Sequence, residues 1–521
     1  MRAIDYFDRG FVLAPDRAAF VGDGASFSYA EAADLSRRIA GAIRRRSDPG
    51  VPQQHVAVFS PNDPRAFLCV LAALRAGGVW VPINARNGID ENIFILRNCD
   101  CTWLFFHSSF AEHLPRLRRE VPGIRHYVCI DRDDDAENLT WADIAVASEP
   151  MPAEAPELRG PQRLCTILST GGTTGLPKGV AWTDRTWETM VANFLVHMPC
   201  ADPPVYLVAA PMTHAAGVIA FPLMAAGATS VILQRAYPLD IMQAIERHRV
   251  THLFLPPTVI YRMLAHPDVR RFDYSSLRYF IYSAAPMSVD KLKEAIEVFG
   301  PVMAQGYGQV EVPLMGTFLS PREHLEILAS GDERRLRSCG RPALLSRVEI
   351  MSDDGRILPP GEAGEIVFGG NLVMEGYYKD PATTALASAG GWHHTGDIGL
   401  KDDAGYVYIV DRKKDMIITG GFNVYSTEIE QAILRHPSVQ DCAVIGVPDD
   451  NWGEAVKAVV EPKPGQAVAP EEIIRLCRER LGGVKTPKTV EIWDTLPRSP
   501  VGKVLKREIR ERYWADAGRS I

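Results

Sequence analysis

Ser169-Thr170-Gly171-Gly172-Thr173-Thr174-Gly175-Leu176-Pro177-Lys178-Gly179 directly follows an apolar run at 164–168. The run reads as a buried strand, and the segment after it reads as a loop leaving the end of a sheet. Three glycines ahead of Lys178 let backbone N–H groups close on phosphate oxygens, because no Cβ blocks the approach. Four hydroxyls add donors and the lysine adds charge. This chemistry suits a polyphosphate and points to ATP. It is not a Walker loop, which needs Gly at 177 and Ser or Thr at 179; Pro177 and Gly179 stand there instead. Pro177 also lacks an N–H and disfavours a helix starting where a Walker loop starts one.

Outward from this loop, short apolar runs alternate with helical patterns. Residues 55–59, 67–74 and 79–83 read strand, helix, strand. Residues 206–210, 230–233, 252–255 and 279–282 read as further buried strands between helical stretches. That rhythm predicts an α/β fold with largely parallel sheets. After Ser346 the texture changes to short strands between Gly, Pro and Asp turns, at 347–350, 364–368 and 406–410. An antiparallel sheet or small barrel is expected there. A smaller unit follows Asp411. It carries a helix over about 427–436, strands at 443–447 and 455–460, and a helix over 470–481.

With 521 residues, 46% of them hydrophobic, the chain can bury large cores and should divide into at least two domains. A net charge of -7 gives no basic footprint, so nucleic acid is not an expected partner. The nine cysteines are scattered, with no CxxC, which supports neither zinc nor a disulfide framework and fits a reducing cytoplasm. Met1-Arg-Ala-Ile-Asp-Tyr-Phe-Asp8 places acids where a signal peptide needs an apolar run. The uncharged stretch 215–233 is interrupted by Gly217, Pro222 and Gly227, so it reads as helix, turn and strand rather than a membrane span.

Further chemical groups come in order along the chain. Pro211-Met-Thr-His-Ala-Ala-Gly217 places His214 after a strand-like run. Gln305-Gly-Tyr-Gly-Gln-Val-Glu311 offers Tyr307 for stacking on a base and Glu311 for a Mg²⁺ that bridges phosphates. Trp392-His-His-Thr-Gly-Asp397 offers a carboxylate for ribose hydroxyls. A charged turn at Asp411-Arg-Lys-Lys414 leads to the loop Gly420-Gly421, and Pro497-Arg-Ser-Pro-Val-Gly-Lys503 ends in a lysine. Taken singly, each reads as a turn or a solvated side chain; together and in this order they do not.

From about residue 10 to about 513 the chain resembles the adenylate-forming superfamily of acyl-CoA synthetases, luciferase-like enzymes and adenylation domains. The resemblance implies a large N-terminal domain, 1–411, of two doubly wound subdomains plus a β-barrel. It also implies a small mobile α+β C-terminal domain, 412–521, with the hinge near Asp411–Lys414. The implied chemistry has two steps. A carboxylate attacks the α-phosphorus of Mg·ATP to give acyl-AMP and pyrophosphate; a thiol, usually of coenzyme A, then displaces AMP. Matched to the family pattern, Thr170, Gly171, Gly172, Thr173, Thr174 and Lys178 would hold the phosphates, and Glu311 would bind Mg²⁺. Tyr307 and Gly308 would face adenine, with Ala284-Ala285-Pro286 on its other side. Asp397 would take the ribose hydroxyls with Arg412 nearby, and Lys414 is the hinge position. Lys503 would bridge ribose and carboxylate in the first step. Gly420 and Gly421 would line the pantetheine tunnel in the second, with Trp452 near the CoA nucleotide. His214 matches a residue that gates the acyl pocket.

Two departures bear on rate and substrate. Val310 stands where the family has a Thr whose hydroxyl would contact the AMP phosphate, so slower adenylation is expected. Amino-acid-activating domains carry an Asp near the His214 position, and Met212-Thr213-His214 has none. Ala215, Ala216, Val218 and residues 312–315 would line an apolar pocket for an aryl, medium-chain or alicyclic acid. An acyl carrier protein as thiol acceptor, a non-catalytic nucleotide binder and a homodimer remain the alternatives to weigh.

Overall fold

The continuous apolar runs become strands covered on both faces. A computed structural model describes residues 1–47, 50–134, 137–152, 160, 162–170, 177–449, 452–498 and 504–514. The chain forms two compact units, one of residues 1–348 and 368–393, the other of residues 349–367 and 394–521.

The first unit contains two large sheets. One has seven strands in the order Gly376–Tyr377, Lys178–Thr183, Leu164–Thr170, Val79–Ile83, His55–Phe59, Trp103–Phe106, His126–Cys129. The last five are parallel, and the first two join antiparallel. His55–Phe59 and Val79–Ile83 are buried at every position, as strands with both faces covered must be. The other sheet has nine strands in the order Arg341–Pro342, Thr317–Leu319, Met303–Tyr307, Tyr279–Tyr282, His252–Leu255, Val205–Val208, Thr229–Ile232, Ala18–Gly22, Ala25–Ser28. Its six inner strands are parallel and its edges antiparallel. The uncharged stretch is helix Ala215–Met224, a turn through Gly227 at φ +74°, and strand Thr229–Ile232. Among the described residues no helix is long and apolar enough to cross a membrane.

The carboxyl ends of the two parallel sheets are tied together. Asn62 follows strand His55–Phe59. Its Nδ2 donates to the carbonyls of Ala210 at 3.0 Å and Leu233 at 2.9 Å, and its Oδ1 accepts from Met212 N at 2.8 Å. Both carbonyls lie just beyond strands of the other sheet. The 209–217 loop is compact for a further reason. A Cβ at Gly217 would meet Met212 O at 1.8 Å, so only glycine fits.

In the second unit, strands Arg347–Met351, Gly364–Gly369, His393–Lys401 and Val407–Arg412 form a four-stranded sheet where a sheet or small barrel was expected. A five-stranded sheet follows, built on the long hairpin Val439–Asp449 and Gly453–Pro462. Helices Ser426–Ile433 and Pro470–Leu481 contribute Ile429, Ile433, Ile473 and Cys477 to its core. The expected division at 411/412 falls inside this unit. Asp411 caps helix Ser426–Ile433, accepting from the Ser426 hydroxyl at 2.8 Å and the Thr427 hydroxyl at 3.3 Å.

Replacing Asn62 with Leu leaves two carbonyls and one N–H without partners. The variant is expected to lose about 3 kcal/mol in the urea unfolding transition of the first unit. A loss below about 1 kcal/mol would contradict the tie.

Candidate active site

Several of the expected site residues of the first unit follow the carboxyl end of a parallel strand, where open α/β sheets leave a crevice for ligands. Thr170 ends one such strand and pairs with Lys178 across the hairpin. Gly171, Gly172, Thr173 and Thr174 lie outside the described residues. Lys178 Nζ sits 4.9 Å from the ring centroid of Tyr377. Tyr377 arrives there because strand Gly376–Tyr377 pairs with Val180 and Ala181. Its hydroxyl donates to Glu311 Oε1 at 2.8 Å. Burial, and then the Glu311 charge, push the Tyr377 phenol well above its ordinary range, so it stays a donor.

Glu311 sits in a tight turn after strand Met303–Tyr307. Gln309 N donates to Val312 O at 3.0 Å, and Val312 N donates back to Gln309 O at 3.2 Å. A Cβ at Gly308 would meet Val312 O at 2.4 Å, which explains the glycine. The turn is held from the seven-stranded sheet. Trp182 Nε1 donates to Val310 O at 2.7 Å, and Met374 N donates to Glu311 O at 2.8 Å. Tyr307 is buried, its ring tilted 46° against Phe368 at 5.7 Å. Strand pairing of Tyr282 with Gln305 sets the 283–286 segment beside Tyr307, and the Ser283 hydroxyl donates to Gly306 O at 2.6 Å. Ala284 takes φ +72°, uncommon for a residue with a Cβ. The expected adenine-facing residues are thus adjacent.

His214 precedes helix Ala215–Met224. Asn84 Nδ2 lies 3.1 Å from its Nε2, while Asn84 Oδ1 accepts from Arg86 N at 3.0 Å. That second bond orients the amide, so Nε2 accepts and the proton resides on Nδ1. Burial, and then the Arg86 charge, push the imidazole down to about 4. His214 is therefore neutral at ordinary pH. Of the expected pocket residues, Ala216, Val218, Val312 and Met315 are buried, and Ala215 and Leu314 are half-buried.

The remaining expected residues belong to the second unit. Asp397 and Arg412 are register partners, with Arg412 Nε 3.4 Å from the buried Asp397 carboxylate. Burial pushes the Lys414 ammonium down to about 8 against the pull of Asp415, helped by Arg412 and Arg510. Gly420 and Gly421 take φ +58° and +82°. Gly420 N donates to Trp452 O at 2.8 Å, and a Cβ at Gly420 would strike the Trp452 ring. Trp452 is half exposed, with Lys488 Nζ 5.5 Å from its ring centroid. Lys503 lies outside the described residues. Its flanking segments pair as Arg498 with Val504.

Among the described residues no group of three or more His, Cys, Asp or Glu could hold a metal ion. Glu311 alone still fits Mg²⁺, which is commonly bound by one or two carboxylates plus substrate phosphates. Sequence reasoning missed Asn84, Trp182 and Tyr377. Asn84 ends a recognisable strand, so a polar residue there could have been flagged. Nothing local marks Tyr377, whose partners are 66 and 199 residues away by number, at Glu311 and Lys178.

With this geometry in place, known proteins provide a frame. The family model of the AMP-binding enzyme matches residues 7–378, and that of the AMP-binding enzyme C-terminal domain matches 428–503. A medium/long-chain fatty-acid–CoA ligase from Mycobacterium tuberculosis is 34% identical, over 89% of this chain and 82% of its own. A feruloyl-CoA synthase from an Amycolatopsis species is 36% identical, over 96% and 97%. The solved structure of an amide bond synthetase from Marinactinospora thermotolerans superposes with a TM-score of 0.87 at 31% identity, covering 98% of this chain and all of that one. The chain belongs to the AMP-binding enzyme family, the adenylate-forming superfamily, and is an enzyme of its acid–thiol ligase class.

The His214 assignment has a pH consequence. Its folded value of about 4 lies below the free value of 6.5, so between these the unfolded chain binds the extra proton and stability falls with acid. From pH 7 to pH 5 the wild type should lose about 2 kcal/mol more than His214→Gln in parallel urea titrations. Parallel curves for the two would contradict a neutral imidazole.

Proposed function

We propose that this enzyme is an ATP-dependent acyl-CoA synthetase for a hydrophobic carboxylic acid, aryl, medium-chain or alicyclic. The observation that carries the reading is the convergence of Lys178, Glu311, Tyr307 and the 283–286 segment at the carboxyl ends of two parallel sheets. These residues can neutralise a triphosphate at one end and face a base at the other. The names of the two ligase relatives, a fatty-acid and a feruloyl enzyme, support an acid with an apolar body.

A carboxylate is a poor acyl donor because oxide is a poor leaving group; AMP is a good one. The first step needs a carboxylate oxygen to bond to the α-phosphorus as pyrophosphate leaves. Two anions must approach, so catalysis is mostly electrostatics and positioning. In our reading Thr170 and Lys178, with Thr173, Thr174 and the backbone of Gly171 and Gly172, hold the phosphates. Glu311 holds Mg²⁺, which would offset phosphate charge when bound. Asp397 accepts the ribose hydroxyls with Arg412 beside it, and Lys503 donates to ribose and carboxylate oxygens. His214, neutral and fixed by Asn84, borders the acyl site and adds no second anion-binding charge. In the second step the CoA thiol attacks the acyl carbon and AMP leaves. We assign Gly420 and Gly421 to the pantetheine path and Trp452 to the CoA nucleotide. Motion of residues 412–521 about Lys414 would exchange the two arrangements. An acyl carrier protein in place of CoA is the second reading, since only the thiol acceptor differs. A cytoplasmic location fits both.

Pyrophosphate release with a panel of hydrophobic acids tests the reading. Acid-dependent release should fall about 10²–10³-fold in Lys503→Ala. Thioester should form only with CoA present; acyl-AMP without thioester would favour a carrier protein. Activity confined to amino or dicarboxylic acids would refute the apolar pocket.

Val310 provides a separate test. Its carbonyl is held by Trp182, so Val310→Thr changes only the side chain. Restoring a hydroxyl beside the AMP phosphate should raise the adenylation rate about tenfold. An unchanged or lower rate would sink the idea that Val310 slows this step.

A further inference from the structure

Tyr377 touches both charged residues that the reading above places at the triphosphate. Its ring face carries the Lys178 ammonium at 4.9 Å, and its hydroxyl donates to Glu311 at 2.8 Å. The two partners come from different sheets. Lys178 starts the second strand of the hairpin in the seven-stranded sheet, and Glu311 lies in the turn after a strand of the nine-stranded sheet. Tyr377 is itself well anchored. It pairs with Val180 in the sheet, and its N–H donates to the Thr384 hydroxyl at 2.9 Å. The Thr384 hydroxyl in turn donates to Asp380 O at 2.8 Å. A ring fixed in this way has little freedom to follow either partner.

The geometry points to Tyr377 as a positioning residue of the adenylation site, and we propose that it keeps Lys178 and Glu311 apart while aiming each at the nucleotide. The reason is electrostatic. A lysine needed by phosphates and a carboxylate needed by a divalent cation attract each other, and a direct pair would weaken both tasks. An aromatic ring offers each a separate satisfaction. The π face attracts the ammonium, and the hydroxyl edge donates to one carboxylate oxygen. No bond is made or broken at Tyr377. It acts only through its two partners, and the proposal rests on the assignment of those partners to the triphosphate and its metal.

The test uses Mn²⁺ as a spectroscopic probe and the full-length enzyme with α,β-methylene-ATP, which cannot release pyrophosphate. Electron paramagnetic resonance reads Mn²⁺ bound in the ternary complex, independent of turnover. Tyr377→Phe keeps the ring and removes the hydroxyl. It should weaken Mn²⁺ binding about tenfold while leaving metal-free nucleotide affinity within about twofold. Tyr377→Leu removes ring and hydroxyl together and should weaken both. In Glu311→Gln the Phe substitution should add no further loss, because Tyr377 reaches the metal only through Glu311. Thermal unfolding of each variant shows whether a loss is one of folding. Wild-type Mn²⁺ affinity in Tyr377→Phe would overturn the proposal. So would a double variant that binds Mn²⁺ more weakly than Glu311→Gln alone. Tight Mn²⁺ binding in a wild type that releases no pyrophosphate with any acid would count against the ligase reading and not against Tyr377.

Discussion

The hydrogen bond from Trp182 Nε1 to Val310 O, at 2.7 Å, states the constraint on which the candidate site depends. Two parallel sheets must present their carboxyl ends to one crevice. Each sheet closes its own hydrogen bonds and is indifferent to the other, so the facing has to be imposed by side chains that reach across. Trp182, Asn62, Asn84 and Tyr377 all leave the seven-stranded sheet or its loops, and each ends on a segment that follows a strand of the nine-stranded sheet. The partner atoms are mostly backbone carbonyls and polar side chains at loop positions. Such a tie costs about 1–3 kcal/mol when one partner is left buried and unpaired, so each is worth conserving physically for stability as well as geometry.

The same contacts define the electrostatic character of the crevice. The structure places one ammonium, one carboxylate and one neutral imidazole on defined supports. Preorganisation of this kind lowers the cost of aligning charge at the moment of reaction. In the second unit Lys414 is flanked by Arg412, Arg510 and Asp415, with the Arg510 guanidinium donating to Lys414 O at 3.0 Å. The charged turn that reads as a solvated run in sequence is thus tied to helix Lys506–Trp514.

Much of the fold was legible because buried strands advertise themselves. His252–Leu255 and Pro470–Leu481 match the expected ranges, and the membrane-like stretch resolves into helix Ala215–Met224 and strand Thr229–Ile232 at its own Gly and Thr signals. Periodicity reports what is buried on each element, whether the whole of strand His252–Leu255 or only Ile473 and Cys477 of the charged helix Pro470–Leu481. It does not report which elements meet. That is why Tyr307 and Glu311 could be singled out from a Gly-rich segment, whereas Tyr377 could not. The strand Gly376–Tyr377 has two residues, too short for any pattern. Likewise nothing around Ser426 in the sequence shows that its hydroxyl donates to Asp411 and accepts from Lys506 at 2.7 Å. A long-range polar contact leaves no periodic trace in either segment.

The central claim is that a carboxylate oxygen of the substrate attacks the α-phosphorus of ATP. An acid labelled with ¹⁸O in its carboxylate, identified from the hydrophobic panel, tests this by mass spectrometry of the nucleotide product after a single round with CoA. The account predicts one ¹⁸O in AMP and none in pyrophosphate. Label in pyrophosphate or orthophosphate, or AMP without label, would contradict it.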